Sequence, residues 1–178
     1  MAPDSNTNIL VNSKLNTEYI YDFTLHQTYS KLAGFLVNMS GLSILIIAGL
    51  HLRNGTFSLQ ISLLLVSIGI CILIYTPIHL FVSAKKYVRN NESILNIRYS
   101  FDNNGITKDY MENFNNTNSG STYLWKDLSK VVSTPKTIAF FINDNNAYVI
   151  PKQDFRNNFL KIMKLTFDNM SHDKIYIR

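Results

Sequence analysis

Side chains able to serve as acids, bases, nucleophiles or metal ligands are thinly spread through this 178-residue chain. The four histidines, His26, His51, His79 and His172, lie far apart, with nothing like the H-E-x-x-H spacing that sets two imidazoles on one helix face for a metal. Cys71 is the single cysteine and sits in the middle of an apolar run. A thiol there has no disulfide partner and no neighbouring ligand, so packing is its expected role. Carboxylates fall mainly at turns, as at Asp102 and Asp144, where aspartate bonds its own backbone. No glycine-rich phosphate loop follows a strand pattern, and no G-x-S-x-G elbow presents a serine. The residues predict a protein that is not an enzyme, with no catalytic residue, no cofactor and no metal site.

The remaining chemistry is that of contact. Lys85, Lys86 and Arg89 crowd into a few residues directly after an apolar run, and Lys152 follows Pro151 at a sharp change of pattern. All four are candidate contacts to a protein partner or to anionic lipid. Segments that recognise anionic lipid usually carry about four to eight cations, more than the three that fall together here. Two carboxamides, Asn38 and Gln60, lie within apolar runs. Polar groups there are costly unless bonded, which makes them candidate contacts between membrane helices.

The elements that position these groups divide the chain in two. The run over 32–52, "LAGFLVNMSGLSILIIAGLHL", and the run over 58–83 contain no Lys, Arg, Asp or Glu. Each reaches the ~20 residues a helix needs to cross a bilayer core. Asn54-Gly55 between them suits a tight turn, so residues 32–83 are predicted to form a helical hairpin. Pro77 should kink the second helix. Lys31 precedes the hairpin and Lys85, Lys86 and Arg89 follow it, whereas Arg53 alone lies in the loop. Positive charge is retained on the cytoplasmic side, which predicts an integral membrane protein with two spans and both termini cytoplasmic. The net charge of +5 is then largely a membrane-proximal feature, and no nucleic-acid partner is expected.

Outside the hairpin the chain is rich in Asn, Asp, Lys and Ser. Residues 1–18 lack a sustained period and read as a flexible tail. Residues 19–31 mix β-branched and aromatic side chains and suit either a strand of the C-terminal region or a lead-in to the first helix. From residue 90 onward the period becomes two. "ILNIRYSF" places Leu95, Ile97, Tyr99 and Phe101 on one face. "DNNG" follows, where Asn104-Gly105 suits a type I′ turn, and "ITKDYMENF" returns with Ile106, Tyr110 and Phe114 inward. "TYLWKDLSKVVST", "TIAFFIN" and "AYVI" continue a run of short strands expected to be antiparallel, and Trp125 is expected to anchor the core. After Pro151 the period changes to that of an amphipathic helix capped by Asp154, with Phe155, Phe159, Ile162, Met163, Phe167 and Met170 on its buried face. Residues 171–178 read as a C-terminal tail.

Two apolar helices followed by "YSFDNNGI" and "YLWKDLSKVVSTPKTIAFFINDNNAYVIPKQDF" resemble the YcxB-like family of small bacterial membrane proteins. The resemblance runs from about Phe23 to Phe159 and is most specific at Phe101, Gly105, Trp125, Ile150, Pro151, Lys152 and Phe155. Gln153 stands where the resemblance would put a basic residue. The family implies that residues 90–170 form an α+β, pleckstrin-homology-like (PH-like) domain, an antiparallel sheet closed by one C-terminal amphipathic helix. It also implies the bacterial cytoplasmic (inner) membrane as the location of a multi-pass protein, and it brings no established activity or cofactor.

Together these features predict a cytoplasmic PH-like binding or regulatory module tethered by a membrane hairpin, with a protein partner, anionic lipid or a second copy as its contacts. The alternative is an accessory subunit joined to a larger membrane complex through the hairpin.

Overall fold

The computed structural model describes residues 8–55, 58–91, 96–110, 120–144 and 146–177. The chain divides into two units, Thr24–Lys85 and the combination of Met1–Phe23 with Lys86–Arg178. Leu95, Phe114 and residues 1–7 of the expected tail lie outside the described residues.

The sheet-bearing unit begins with strand β1, Ile9–Lys14, where a flexible tail was expected. β1 pairs antiparallel with β2, Asn96–Phe101, from Ile9 opposite Phe101 to Lys14 opposite Asn96. Its inward positions are Val11 and Ser13, both 2% exposed, while Leu10 points outward at 54%. A serine inside and a leucine outside hide the alternation that normally marks a strand. Helix α1, Thr17–Tyr29, replaces the strand weighed for residues 19–31. The Tyr19 amide donates to the Asn16 side chain at 3.0 Å, and Asn16 thereby caps a helix that the aromatic content alone did not indicate.

β2 continues through a turn into β3, Gly105–Tyr110, and β3 pairs with β4, Ser121–Leu124, to give a four-stranded sheet in the order β1-β2-β3-β4. The expected type I′ turn is not formed, since neither Asn104 nor Gly105 has positive φ. Asp102 organises the turn instead, its carboxylate accepting from the Asn104 and Gly105 amides at 2.7 and 2.8 Å. Gly105 answers to a different constraint. A Cβ there would lie 2.0 Å from the Tyr123 carbonyl oxygen, so the close approach of β4 excludes any side chain.

The second sheet contains β5, Lys130–Ser133; β6, Thr137–Phe141; β7, Ala147–Pro151; and β8, Ile175–Tyr176, in the order β7-β6-β5-β8. β8 lies in the expected C-terminal tail and pairs parallel with β5, the exception to an otherwise antiparallel arrangement. All of β6 is buried. Pro151 closes β7, an edge strand, where a residue without an N–H removes no ladder bond on the open side.

The expected helix from Asp154 starts later. Residues Lys152–Asn158 form a 3-10 segment interrupted at Arg156, whose φ of 46° and ψ of −128° are not helical. Helix α4 runs from Phe159 to Asn169 with Asn158 at its N-cap position, so Asp154 is not the cap. Ile162, Met163 and Thr166 of α4 are buried and Met170 follows them inward, whereas Phe167 is 41% exposed and leaves the predicted stripe. The break at Arg156 separates the 3-10 segment from α4, which therefore begins at Phe159.

The core gathers side chains from both sheets. Phe101 meets Phe140 at 5.6 Å between ring centres and Trp125 and Phe155 at 6.4 Å. Trp125 is 3% exposed and its Nε1 donates to the Asp102 carbonyl at 2.9 Å, tying the core to the β2–β3 turn. A buried indole N–H needs such an acceptor.

The other unit holds helix α2, Leu32–Asn54, and most of helix α3, Leu59–Asn90. Both are long and apolar enough to cross a membrane. α3 continues without interruption through Pro77 and beyond the predicted end at residue 83. Gly55 ends α2 at φ 63°, the left-handed conformation glycine adopts at no steric cost. The buried positions are small, Gly41 and Ala48 on α2 and Ser62, Gly69 and Ala84 on α3. A Cβ on Gly69 would stand 2.7 Å from Leu45 and 3.2 Å from the Gly41 carbonyl. The helices therefore meet along a seam of small residues, whose short side chains let the two backbones approach closely.

Candidate functional site

Lys85, Lys86 and Arg89 project from the last turns of α3 and are all exposed. They share one helix as the sequence predicts. Lys152 stands on a different element, at the first position after β7, and is half-buried. Its amide donates to the Lys136 carbonyl at 2.9 Å, fixing the backbone that carries the ammonium group. Asn38 donates to the Gly34 carbonyl at 3.2 Å on its own helix, and Gln60 is exposed in the first turn of α3. Since Gly41 meets Ile72 and Leu73, Asn38 and Gln60 sit at opposite ends of the hairpin. At ~1.5 Å rise per residue their separation along the axis is roughly 20 Å. They do not contact each other.

Around Lys152 the fold assembles groups that sequence reasoning missed. Asp154, two residues on, turns its carboxylate toward β1, against the Ser13 hydroxyl and the Lys14 backbone N–H. Burial raises its pKa above the usual carboxylate range, while Ser13, Lys14 and the Arg156 guanidinium act in the opposite direction. Asp154 Oδ2 and Ser13 Oγ are both buried, and neither makes a hydrogen bond of good geometry. Position in the sequence gives no signal for this pair, because β1 and the Asp154 segment stand at opposite ends of the chain.

A second cluster lies at the β3–β4 side. Lys108 Nζ donates to the Tyr110 hydroxyl at 2.9 Å and sits 4.5 Å above the Tyr110 ring centre and 5.6 Å above that of Tyr148. Tyr148 reaches across from β7 to the Ser121 hydroxyl at 3.0 Å and stacks edge-on with Tyr123. Burial, followed by the neighbouring Tyr148, pushes the Tyr99 phenol far upward, and burial raises Tyr148 despite its bond to Ser121. These phenols therefore stay protonated and serve as packing and hydrogen-bonding groups.

A third feature joins α1 to the β5–β6 turn. The Asp22 carboxylate accepts from the Thr134 hydroxyl and, at 3.1 Å, from the Lys136 amide. Lys136 pairs with Glu18, and that hydrogen bond holds its ammonium group above the usual range. Phe23 lies 5.9 Å from Phe141 between ring centres. An acidic, aromatic α1 is thus a clasp on the second sheet. Among the described residues no group of three or more His, Cys, Asp or Glu stands together as metal ligands would.

The architecture defines the class of the chain: two long apolar helices joined to an α+β unit of mainly antiparallel strands. Residues 101–162 match the family model described as YcxB-like protein. That segment extends from the end of β2 into α4 and contains Gly105, Trp125 and the Pro151–Phe155 junction. No match was found among curated proteins or among solved structures.

Proposed function

We propose that the chain is a membrane-tethered binding module. α2 and α3 cross a bacterial cytoplasmic membrane as a hairpin, and a PH-like β-unit on the cytoplasmic face holds a protein or peptide partner without catalysing a reaction. The observation that carries this reading is the pairing of β1 with β2. β1 precedes the hairpin and β2 follows it, so one folded unit takes strands from both ends of a two-helix insertion. Such a unit forms only when both ends emerge on one side of the membrane, as an even number of spans requires. The exposed cations Lys85, Lys86 and Arg89 on the last turns of α3 support the cytoplasmic side. The two four-stranded sheets with α4 after them support the PH-like reading.

An edge strand supports partner binding. β4 is an edge strand and largely exposed, and extended peptides add to such edges through main-chain hydrogen bonds. In-cell crosslinking from β4, with identification of captured protein and lipid, tests the binding reading. A captured peptide segment supports it, and capture of nothing above a control placed on the outward face of α4 counts against it. If partners are instead lost on replacing Asn38 and Gln60 by Leu, the hairpin is the assembling element and the chain is an accessory subunit of a larger complex.

A further inference from the structure

We propose that the strand added at β4 carries an acidic side chain and that Lys108 receives it, a proposal that rests on β4 being the binding edge. The register of the first sheet lines up Val11, Tyr99, Lys108 and Ser121 as one cross-strand row. Val11 and Tyr99 are core side chains, 2% and 1% exposed. Directly paired residues share a face and successive residues alternate, so Lys108 extends from the inward face while the adjoining Asp109 belongs to the outward one. The contacts match that assignment. Lys108 Nζ lies 5.6 Å from the ring centre of Tyr148, a buried residue of the other sheet, whereas the Asp109 carboxylate stands against Gly120.

Lys108 is thus a half-buried cation in a row that begins with core side chains. Among the described residues it forms no ion pair, and of its three N–H donors one has an acceptor there, the Tyr110 hydroxyl at 2.9 Å. Attraction to an anion strengthens where protein displaces water, which makes this ammonium group a better receiver of a carboxylate than a solvated lysine. The row opens at β4. Ser121 is its last member and β4 is an edge strand, so an added strand sets one residue opposite Ser121 with its side chain on the Lys108 face. That residue stands two strand spacings from Lys108, roughly 10 Å, a gap that lysine and glutamate side chains close together across the small serine. Two positions along, the added strand meets the row of Phe101, Ile106 and Tyr123, whose first two members are fully buried, and an apolar side chain belongs there. The partner is an extended segment with an acidic and an apolar side chain at alternate positions.

The test selects a displayed random octapeptide library against the full-length protein in lipid nanodiscs and locates the selected peptides by hydrogen-exchange protection of β4 amides. The expected result is enrichment of Asp or Glu at the alternate position to an apolar residue. Replacing that acid by its amide should weaken binding about tenfold, a difference lost in Lys108→Met and kept in Lys108→Arg. Peptides that protect β4 yet bind equally as acid or amide overturn the acidic partner and leave the edge reading standing, whereas failure of any peptide to protect β4 overturns both. That comparison is made on the unaltered protein and so refutes even where Lys108→Met does not fold. Uniformly tighter binding to Lys108→Met would make the lysine a guard against strand addition, and protection of β3 and β4 by inorganic phosphate alone would make it a free-anion site. Either result also refutes the proposal.

Discussion

At the scale of single residues, the matched segment is explained by packing before any question of ligand arises. Phe101 is fully buried and its ring contacts Trp125, Phe140 and Phe155. Phe101→Ala should cost ~3–5 kcal/mol, read from chemical denaturation of the β-unit. Gly105 is constrained more narrowly, by a carbonyl 2.0 Å from where a Cβ would be. Gly105→Ala must push β4 away from β3, and a loss of roughly 1–3 kcal/mol is expected. An unchanged denaturation midpoint would show that the strands separate freely. Lys152 differs from both, since its backbone is fixed by Lys136 while its side chain is half-buried. Lys152→Ala is expected to leave thermal stability nearly unchanged, so any accompanying loss of crosslinked partner would identify the ammonium group as a contact. Asp154→Asn, by contrast, should raise the melting temperature at neutral pH. A folded-state carboxyl held above its ordinary range destabilises the fold once ionised, and the advantage of the variant should vanish in acid.

At the scale of elements, the hairpin and α1 illustrate different kinds of support. The α2–α3 seam depends on Gly41 and Gly69, whose removal of side chains brings the backbones together. Gly69→Leu would drive Leu45 and the Gly41 carbonyl away, and disulfide crosslinking between cysteines placed at positions 48 and 62 should fall sharply as the helices part. α1 is held at the β5–β6 turn by charge-assisted bonds to a carboxylate. Replacing Asp22 with Ala leaves the Thr134 hydroxyl and the Lys136 amide without that acceptor, at a cost of ~1–3 kcal/mol. Faster proteolysis within α1 would register the loss. The sequence pattern revealed the hairpin and most strands because each follows a local period. It concealed α1, whose helical state depends on an Asn16 cap, and β1, whose inward serine breaks the hydrophobic alternation.

At the scale of the whole molecule, the pairing of β1 with β2 places a topological demand on the chain. Protease treatment of sealed inverted vesicles should digest tags at both ends together. Digestion of one tag with survival of the other is incompatible with a unit assembled from both flanks of the hairpin. The match over residues 101–162 leaves β1, α1 and the apolar helices outside it, although β1 and the start of α1 belong to the same folded unit as the matched strands.

By itself the sequence determined what local periodicity and composition encode. It indicated two helices long enough to span a membrane, the β-strands after residue 95, the core placement of Phe101 and Trp125, and a cluster of cations at the end of the second helix. Tertiary structure decided everything that joins residues distant along the chain. It recruited the expected tail as β1, brought Ser13 to Asp154 and Asp22 to Lys136, closed β8 onto β5 in parallel, and delayed α4 until after Arg156. The reason is physical. Hydrophobic period and capping act over a few residues, whereas strand pairing and burial of a carboxyl are settled by which surfaces meet once the chain has folded.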